Sequence, residues 1–154
     1  MNLYPLDVKF EPTAYVEDEE AELQKFKGSY DFDFKTGEFR KAPDGKVLKT
    51  TPMNAYMQWC EKTLLTKRFM HSAYTDLYGQ EYYTLIGSPL TKSAVELEVK
   101  RMTIEALMVH PYTDKGTDFV FRWEENESVL YFDYLVTTVF GEEYTAQAMA
   151  EVRA

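Results

Sequence analysis

The chain changes its hydrophobic rhythm several times, and each change marks an element. Tyr30, Phe32 and Phe34 alternate with Asp31, Asp33 and Lys35, the two-residue period of a half-buried strand. Thr36-Gly37 supplies a turn, and Glu38 to Arg40 can continue the chain. Pro43-Asp44-Gly45 gives a second turn, because proline presets one turn position and glycine accepts positive φ. A short strand around Lys46 to Lys49 can pair back, which predicts a small meander. Thr51-Pro52 then opens a helix: threonine caps, and proline at the first helical position gives up an N–H that would be unpaired anyway. Met53, Tyr56, Met57, Cys60 and Leu64 follow at three- and four-residue spacing, with Trp59 and Leu65 widening the face, and the helix is expected to end near Thr66.

Residues 68–87 form a linking stretch rich in tyrosine, with a short helix expected over Gln80 to Ile86 and closed by Gly87. A second long helix is expected from a Thr91 cap to about Val109. Its apolar stripe reads Ala94, Leu97, Arg101, Ile104, Leu107 and Met108, with Val95 beside it, and Pro111 stops it. The pattern then returns to period two. Phe119, Phe121 and Trp123 alternate with Val120, Arg122 and Glu124; Glu125-Asn126-Glu127 turns; Leu130, Phe132, Tyr134 and Val136 line one face of a long strand ended by Gly141. The fold class expected is α+β: two main helices on a small mixed or antiparallel sheet with a C-terminal β-hairpin. Residues 1–28 are expected to be an extended acidic arm, 29–141 a single domain, and 142–154 a short tail of weak helical character.

Composition narrows the function. The net charge of -9 repels phosphate backbones and anionic lipid heads, so neither nucleic acid nor a membrane surface is an expected partner. Seven acidic residues against three lysines give residues 1–28 a net charge of -4, and Glu17, Asp18, Glu19 and Glu20 stand together in it. Such a segment is either solvated or pinned by a basic neighbour. A single cysteine excludes an internal disulfide and fits a reducing compartment. The first ten residues lack a basic region followed by an apolar run, and no stretch approaches the roughly 18 apolar residues that span a bilayer.

Catalytic chemistry finds little material. His71 and His110 lie far apart with no local ligand partner and read as ordinary surface or interface histidines. Cys60, on the apolar stripe, reads as a buried inert thiol. Asp31 and Asp33 share the polar face of a strand, where a solvated edge outweighs a catalytic carboxylate pair. Asp76 and Glu81 fit turn and cap roles. There is no phosphate-cradling glycine loop and no nucleophile elbow. No cofactor, metal or catalytic residue is expected.

Several segments, in order, resemble the contractile phage-tail baseplate family that includes the wedge subunit of T-even phages, and more closely its PBSX-type prophage relatives. They are Tyr30-Asp31-Phe32-Asp33-Phe34 with Thr36-Gly37-Glu38-Phe39; Asp44-Gly45-Lys46; Gln58-Trp59-Cys60 with Leu65-Thr66-Lys67-Arg68-Phe69; Tyr78-Gly79; Leu85-Ile86-Gly87; Glu105-Ala106-Leu107 before Pro111; and the strand ending Val136-Thr137-Thr138-Val139-Phe140-Gly141. The resemblance runs from about residue 28 to 141, and the arm after Leu3-Tyr4-Pro5 is also similar. It implies a sheath initiator in the inner baseplate ring. Expected partners are the sheath protein, tail tube and hub proteins and other wedge proteins, with six copies per particle, assembled in a bacterial cytoplasm. Where relatives carry an acidic residue, proline and arginine after the second long helix, this chain has His110-Pro111-Tyr112, so no ion-pair role transfers there.

The resemblance also implies that sheath arms add as strands to an open sheet, expected at the Phe119 to Phe140 hairpin. The candidate partner-binding residues are therefore Glu17, Asp18, Glu19 and Glu20 of the arm, Arg68, Tyr112, and Tyr131, Asp133, Leu135, Thr137 and Phe140. A wall-degrading hydrolase and a small regulatory binding module are the two other classes weighed. The sequence offers no site for the former.

Overall fold

The computed structural model describes residues 28–152. Two short strands, β1 (Phe32–Asp33) and β2 (Glu38–Phe39), pair antiparallel, with Phe32 opposite Phe39. Isolated bridges Lys41–Val47 and Tyr30–Lys49 fold the following segment back onto them, giving the expected meander. Helix α1 spans Pro52–Leu65; Thr51 caps it, its hydroxyl accepting the Asn54 N–H at 3.3 Å. A 3-10 turn, Tyr82–Leu85, stands where the short helix was expected. Helix α2 spans Lys92–Leu107, capped by Thr91. Three long strands complete the domain: β3 (Thr113–Trp123), β4 (Val129–Thr138) and β5 (Glu143–Glu151), antiparallel in the order β3-β4-β5. The fold is α+β, with two helices and antiparallel sheets of two and three strands.

The core lies between the helices and one face of the larger sheet. Tyr56, Cys60 and Leu64 of α1 meet Val95, Val99, Met102, Ala106 and Leu107 of α2 over Leu130, Phe132, Tyr134 and Val136 of β4. The even-numbered residues of β4 point inward, as the period-two pattern requires. Phe132 is fully buried, and burying a side chain of that size stabilises the fold by about 1.5–3 kcal/mol. Two buried tyrosine hydroxyls find partners: Tyr56 Oη and Thr113 Oγ1 lie 2.7 Å apart, and Tyr82 Oη and Thr103 Oγ1 2.5 Å apart, whereas Tyr78 Oη has none among the described residues.

Three expectations require correction. The stretch after Gly141 is not a weakly helical tail but β5, paired with β4 in unbroken register from Thr137↔Glu143 to Val129↔Glu151. Its inward positions, Tyr144, Ala146, Ala148 and Ala150, alternate with outward ones, but three are alanines, whose intrinsic preference is helical. The stripe of α2 is rotated from the expected one: Val95, Val99, Met102, Thr103, Ala106 and Leu107 are buried, while Leu97 is 68% exposed. Arg101 faces solvent instead, bonded to Glu98 and Glu105. His110 is buried, not at the surface, because three aromatic rings close around it. β4 is the central strand, paired with β3 and β5, and within the Phe119 to Phe140 hairpin the strand with an open side among the described residues is β3.

Candidate interaction surfaces

Among the described residues, those singled out from sequence fall into three places. Glu17, Asp18, Glu19 and Glu20, with the rest of the acidic arm, lie outside the described residues.

Arg68 follows α1 and is buried. Its Nε donates to the Gly79 carbonyl at 3.2 Å, and its Nη1 donates to Glu105 at 2.8 Å and to Glu81 at 3.3 Å. Backbone bonds Arg68 N–H to Gln80 O (2.8 Å) and Gln80 N–H to Thr66 O (2.9 Å) hold the two ends of the 68–80 loop together. Gly79 makes this possible: its φ is +100°, and a Cβ there would stand 2.7 Å from the Thr66 carbonyl oxygen. The hydrogen bond from Arg68, then its charge, hold the Glu105 carboxyl below the ordinary carboxylate range. Arg68 thus ties the loop to α2.

Tyr112 is buried beside His110, and its N–H donates to His110 Nδ1 at 3.0 Å. The His110 ring stacks edge-on against Trp59 (4.6 Å) and Tyr56 (4.8 Å). Burial pushes its pKa down to about 4, so the imidazole is neutral near pH 7, as an accepting Nδ1 requires. Tyr112 also meets Phe140 at 5.2 Å, and its carbonyl accepts the Val139 N–H. Two of the candidate residues, Tyr112 and Phe140, therefore come together, with Phe140 54% exposed.

Tyr131, Asp133, Leu135 and Thr137 lie on the outward face of β4. Asp133 takes two bonds from Arg122 of β3, at 2.7 and 3.1 Å, and Arg122 holds its carboxyl low. Leu135 is half-buried. Thr137 is buried, and its hydroxyl has no hydrogen-bond partner among the described residues. Their backbone groups face β3, and β5 covers the other side of the strand, so only side chains are offered here.

Among the described residues, the unpaired backbone lies elsewhere. Thr138 N–H donates to Glu142 O and Val152 N–H to Ser128 O, which sets the hydrogen-bonded pairs of β4 and β5 at even-numbered residues. Thr145, Gln147 and Met149 must then direct their N–H and C=O groups away from β4, along the free margin of the sheet. The margin of β3 differs. Its register shifts between Thr113 and Lys115 and again between Thr117 and Val120, and Asp118 has φ +54°. Bulges of this kind blunt an edge, whereas β5 carries no register shift against β4. Sequence reasoning missed β5; the alternation of Thr145, Gln147, Met149 and Glu151 with three alanines was the available signal.

Between β5 and α1 runs a trench. One cavity, of about 280 Å³, is lined by Glu61, Leu64 and Leu65 of α1, by consecutive Gln147, Ala148 and Met149, and by Lys35 and Tyr131. Three consecutive strand residues can line one cavity only if it sits at the strand's edge. A second, of about 180 Å³, continues past Leu65 and Met149 towards Lys67, Ile86 and Glu151.

Among the described residues, no group of three or more His, Cys, Asp or Glu is placed to hold a metal ion, and no helix is long and apolar enough to cross a membrane. Asp31 and Asp33 both face Arg40, at 3.7 Å each.

Among the described residues the buried cation holds a loop and the larger sheet ends in two strands paired on one side only, an arrangement suited to assembly with other chains. Comparison with known families makes this specific. The chain belongs to the contractile injection system sheath initiator family, whose model matches residues 28–141. The family is a structural one, built into contractile tails and tail-like particles. No curated protein matches the chain. The strand β5 lies just beyond the matched residues.

Proposed function

We propose that this chain sits in the baseplate of a contractile tail or tail-like particle, docks on the tube and inner baseplate, and nucleates the sheath by accepting sheath arms as added strands. The single observation that carries the reading is the free margin of the three-stranded sheet, joined to membership of the sheath initiator family. Unpaired N–H and C=O groups at a sheet edge are satisfied by a neighbour's extended chain, and alternate side chains then give specificity. In this reading the protein works without catalysis, in six copies around the tube, and is assembled in the bacterial cytoplasm. The acidic Glu17 to Glu20 segment binds a basic baseplate neighbour. Phe140 and Tyr131, both exposed, add side-chain contacts beside the sheet.

The test is to mix the purified chain with its sheath protein and follow assembly by pull-down and electron microscopy. Sheath rings should grow from the chain at sheath concentrations where sheath alone stays unassembled. Absence of a complex, with both proteins folded, sinks the reading.

A further inference from the structure

We propose that β5 is the margin that takes the added strand, and that Glu143 and Glu151, at its two ends, select a partner strand carrying basic residues eight positions apart and reject a second copy of this chain. The inference rests on the strand-addition reading and goes on to name the edge and the chemistry of the occupant.

The choice of edge follows from regularity. The ladder of β5 runs from Glu143 to Glu151 without a register shift, and its free margin presents Thr145, Gln147 and Met149 in line. On β3 two register shifts break the corresponding row. A strand added to β5 also gains a second wall. Leu64 and Leu65 of α1 stand across the trench, and Leu65 is 54% exposed. Side chains of the added strand on the core side therefore meet these leucines, which asks for apolar residues opposite Ala148 and Ala150.

The selection follows from charge. A straight unpaired edge invites its own copy. In an antiparallel β5–β5 pair centred on Gln147, Thr145 would face Met149, and Glu143 would face Glu151 twice. Both glutamates are exposed, and like charges directly opposite one another destabilise a strand pair. A strand with lysine or arginine at both of those positions gains the opposite sign at each end, in either direction of approach. Lys35 and Lys67 also line the trench, but its two cavities bring them beside Leu64 and Leu65 of α1, so the basic positions belong to the outward face.

The probe is a pair of nine-residue peptides of alternating valine and threonine, one with lysine at both ends and one with glutamate. Binding is read by amide hydrogen exchange of the full chain. The lysine-ended peptide should slow exchange at Thr145, Gln147 and Met149 and bind about tenfold more tightly than the glutamate-ended one, an advantage that shrinks with added salt. The double variant Glu143→Lys/Glu151→Lys should reverse the preference. Gln147→Pro removes an outward N–H and the side chain's bond to Asp133 but no rung of the ladder to β4, so it should abolish binding while the melt stays cooperative; if it unfolds the chain, the charge-reversed variant still decides.

Protection at Phe119, Phe121 and Trp123 instead, equal binding of the two peptides, no binding of either, or a wild-type dimer protected along β5 would each overturn the proposal. If the peptides behave as expected but sheath protein forms no complex, the sheath reading fails and the edge assignment stands. If sheath assembles equally well on the charge-reversed variant, the edge assignment fails and the sheath reading stands.

Discussion

Arg68 Nη1 and Glu105 Oε1 meet at 2.8 Å across 37 residues of sequence, joining the loop after α1 to the solvent side of α2. Glu105 has a second partner, Arg101, at 3.0 Å. Removing the guanidinium strands the Gly79 carbonyl and leaves Glu81 without its bond, while Glu105 keeps Arg101. Because both carboxylates reach solvent, the loss falls below that of a fully buried pair. Arg68→Met is expected to cost about 2–3 kcal/mol, read from urea unfolding at unchanged m. A cost under about 0.5 kcal/mol would mean that the loop is held by its backbone bonds alone.

His110 sets a pH dependence. Its folded pKa is about 4, against 6.5 for the exposed group, so between those values the unfolded chain binds the extra proton. Stability therefore falls as pH drops from 6.5 towards 4, by about 2 kcal/mol once solvent screening is allowed for. His110→Gln should flatten that part of the profile in thermal melts between pH 7 and 4. An unchanged slope would assign it to carboxylates instead.

Cys60 is buried with its thiol pushed up to about 12 by burial. It should resist aromatic disulfide reagents in the folded chain, and its rate of reaction should follow the unfolded fraction as urea is added. Fast labelling without denaturant would show local opening of α1 from the core.

Gly79→Ala places a methyl group 2.7 Å from the Thr66 carbonyl oxygen and forces alanine to φ +100°. The expected loss is about 2–3 kcal/mol, seen as a lowered melting temperature. Gly45→Ala, also at positive φ but with open space around it, should cost about 1 kcal/mol.

Much of this was legible in the chain. Thr51-Pro52 and Thr91 marked both helix starts because capping is local chemistry. The aromatic alternation of Phe119 to Trp123 and Leu130 to Val136 gave two strands for the same reason. The misses depend on tertiary context. The Leu97 stripe of α2 looked as apolar as the true one, and only packing against β3 and β4 decides between them. β5 was hidden because small inward residues fit under α1, and smallness is not a strand signal. At the candidate sites, Arg68 was singled out without its partners, since Glu81 and Glu105 are brought to it by the fold. β5 leaves the candidate residues of β4 inside the sheet, a placement that no local pattern along β4 reveals.

The larger sheet joins its strands in sequence order, with 124–128 linking β3 to β4 and 139–142 linking β4 to β5. Each pairing closes only a short loop, so little chain entropy is lost before the first rungs form. The sheet can zip from its two turns within the local chain. The slower event is the arrival of α1, which must cross about half the described sequence to cover β4. Folding kinetics should divide accordingly, with amides of β4 protected early and the Tyr56–Thr113 contact among the last to form.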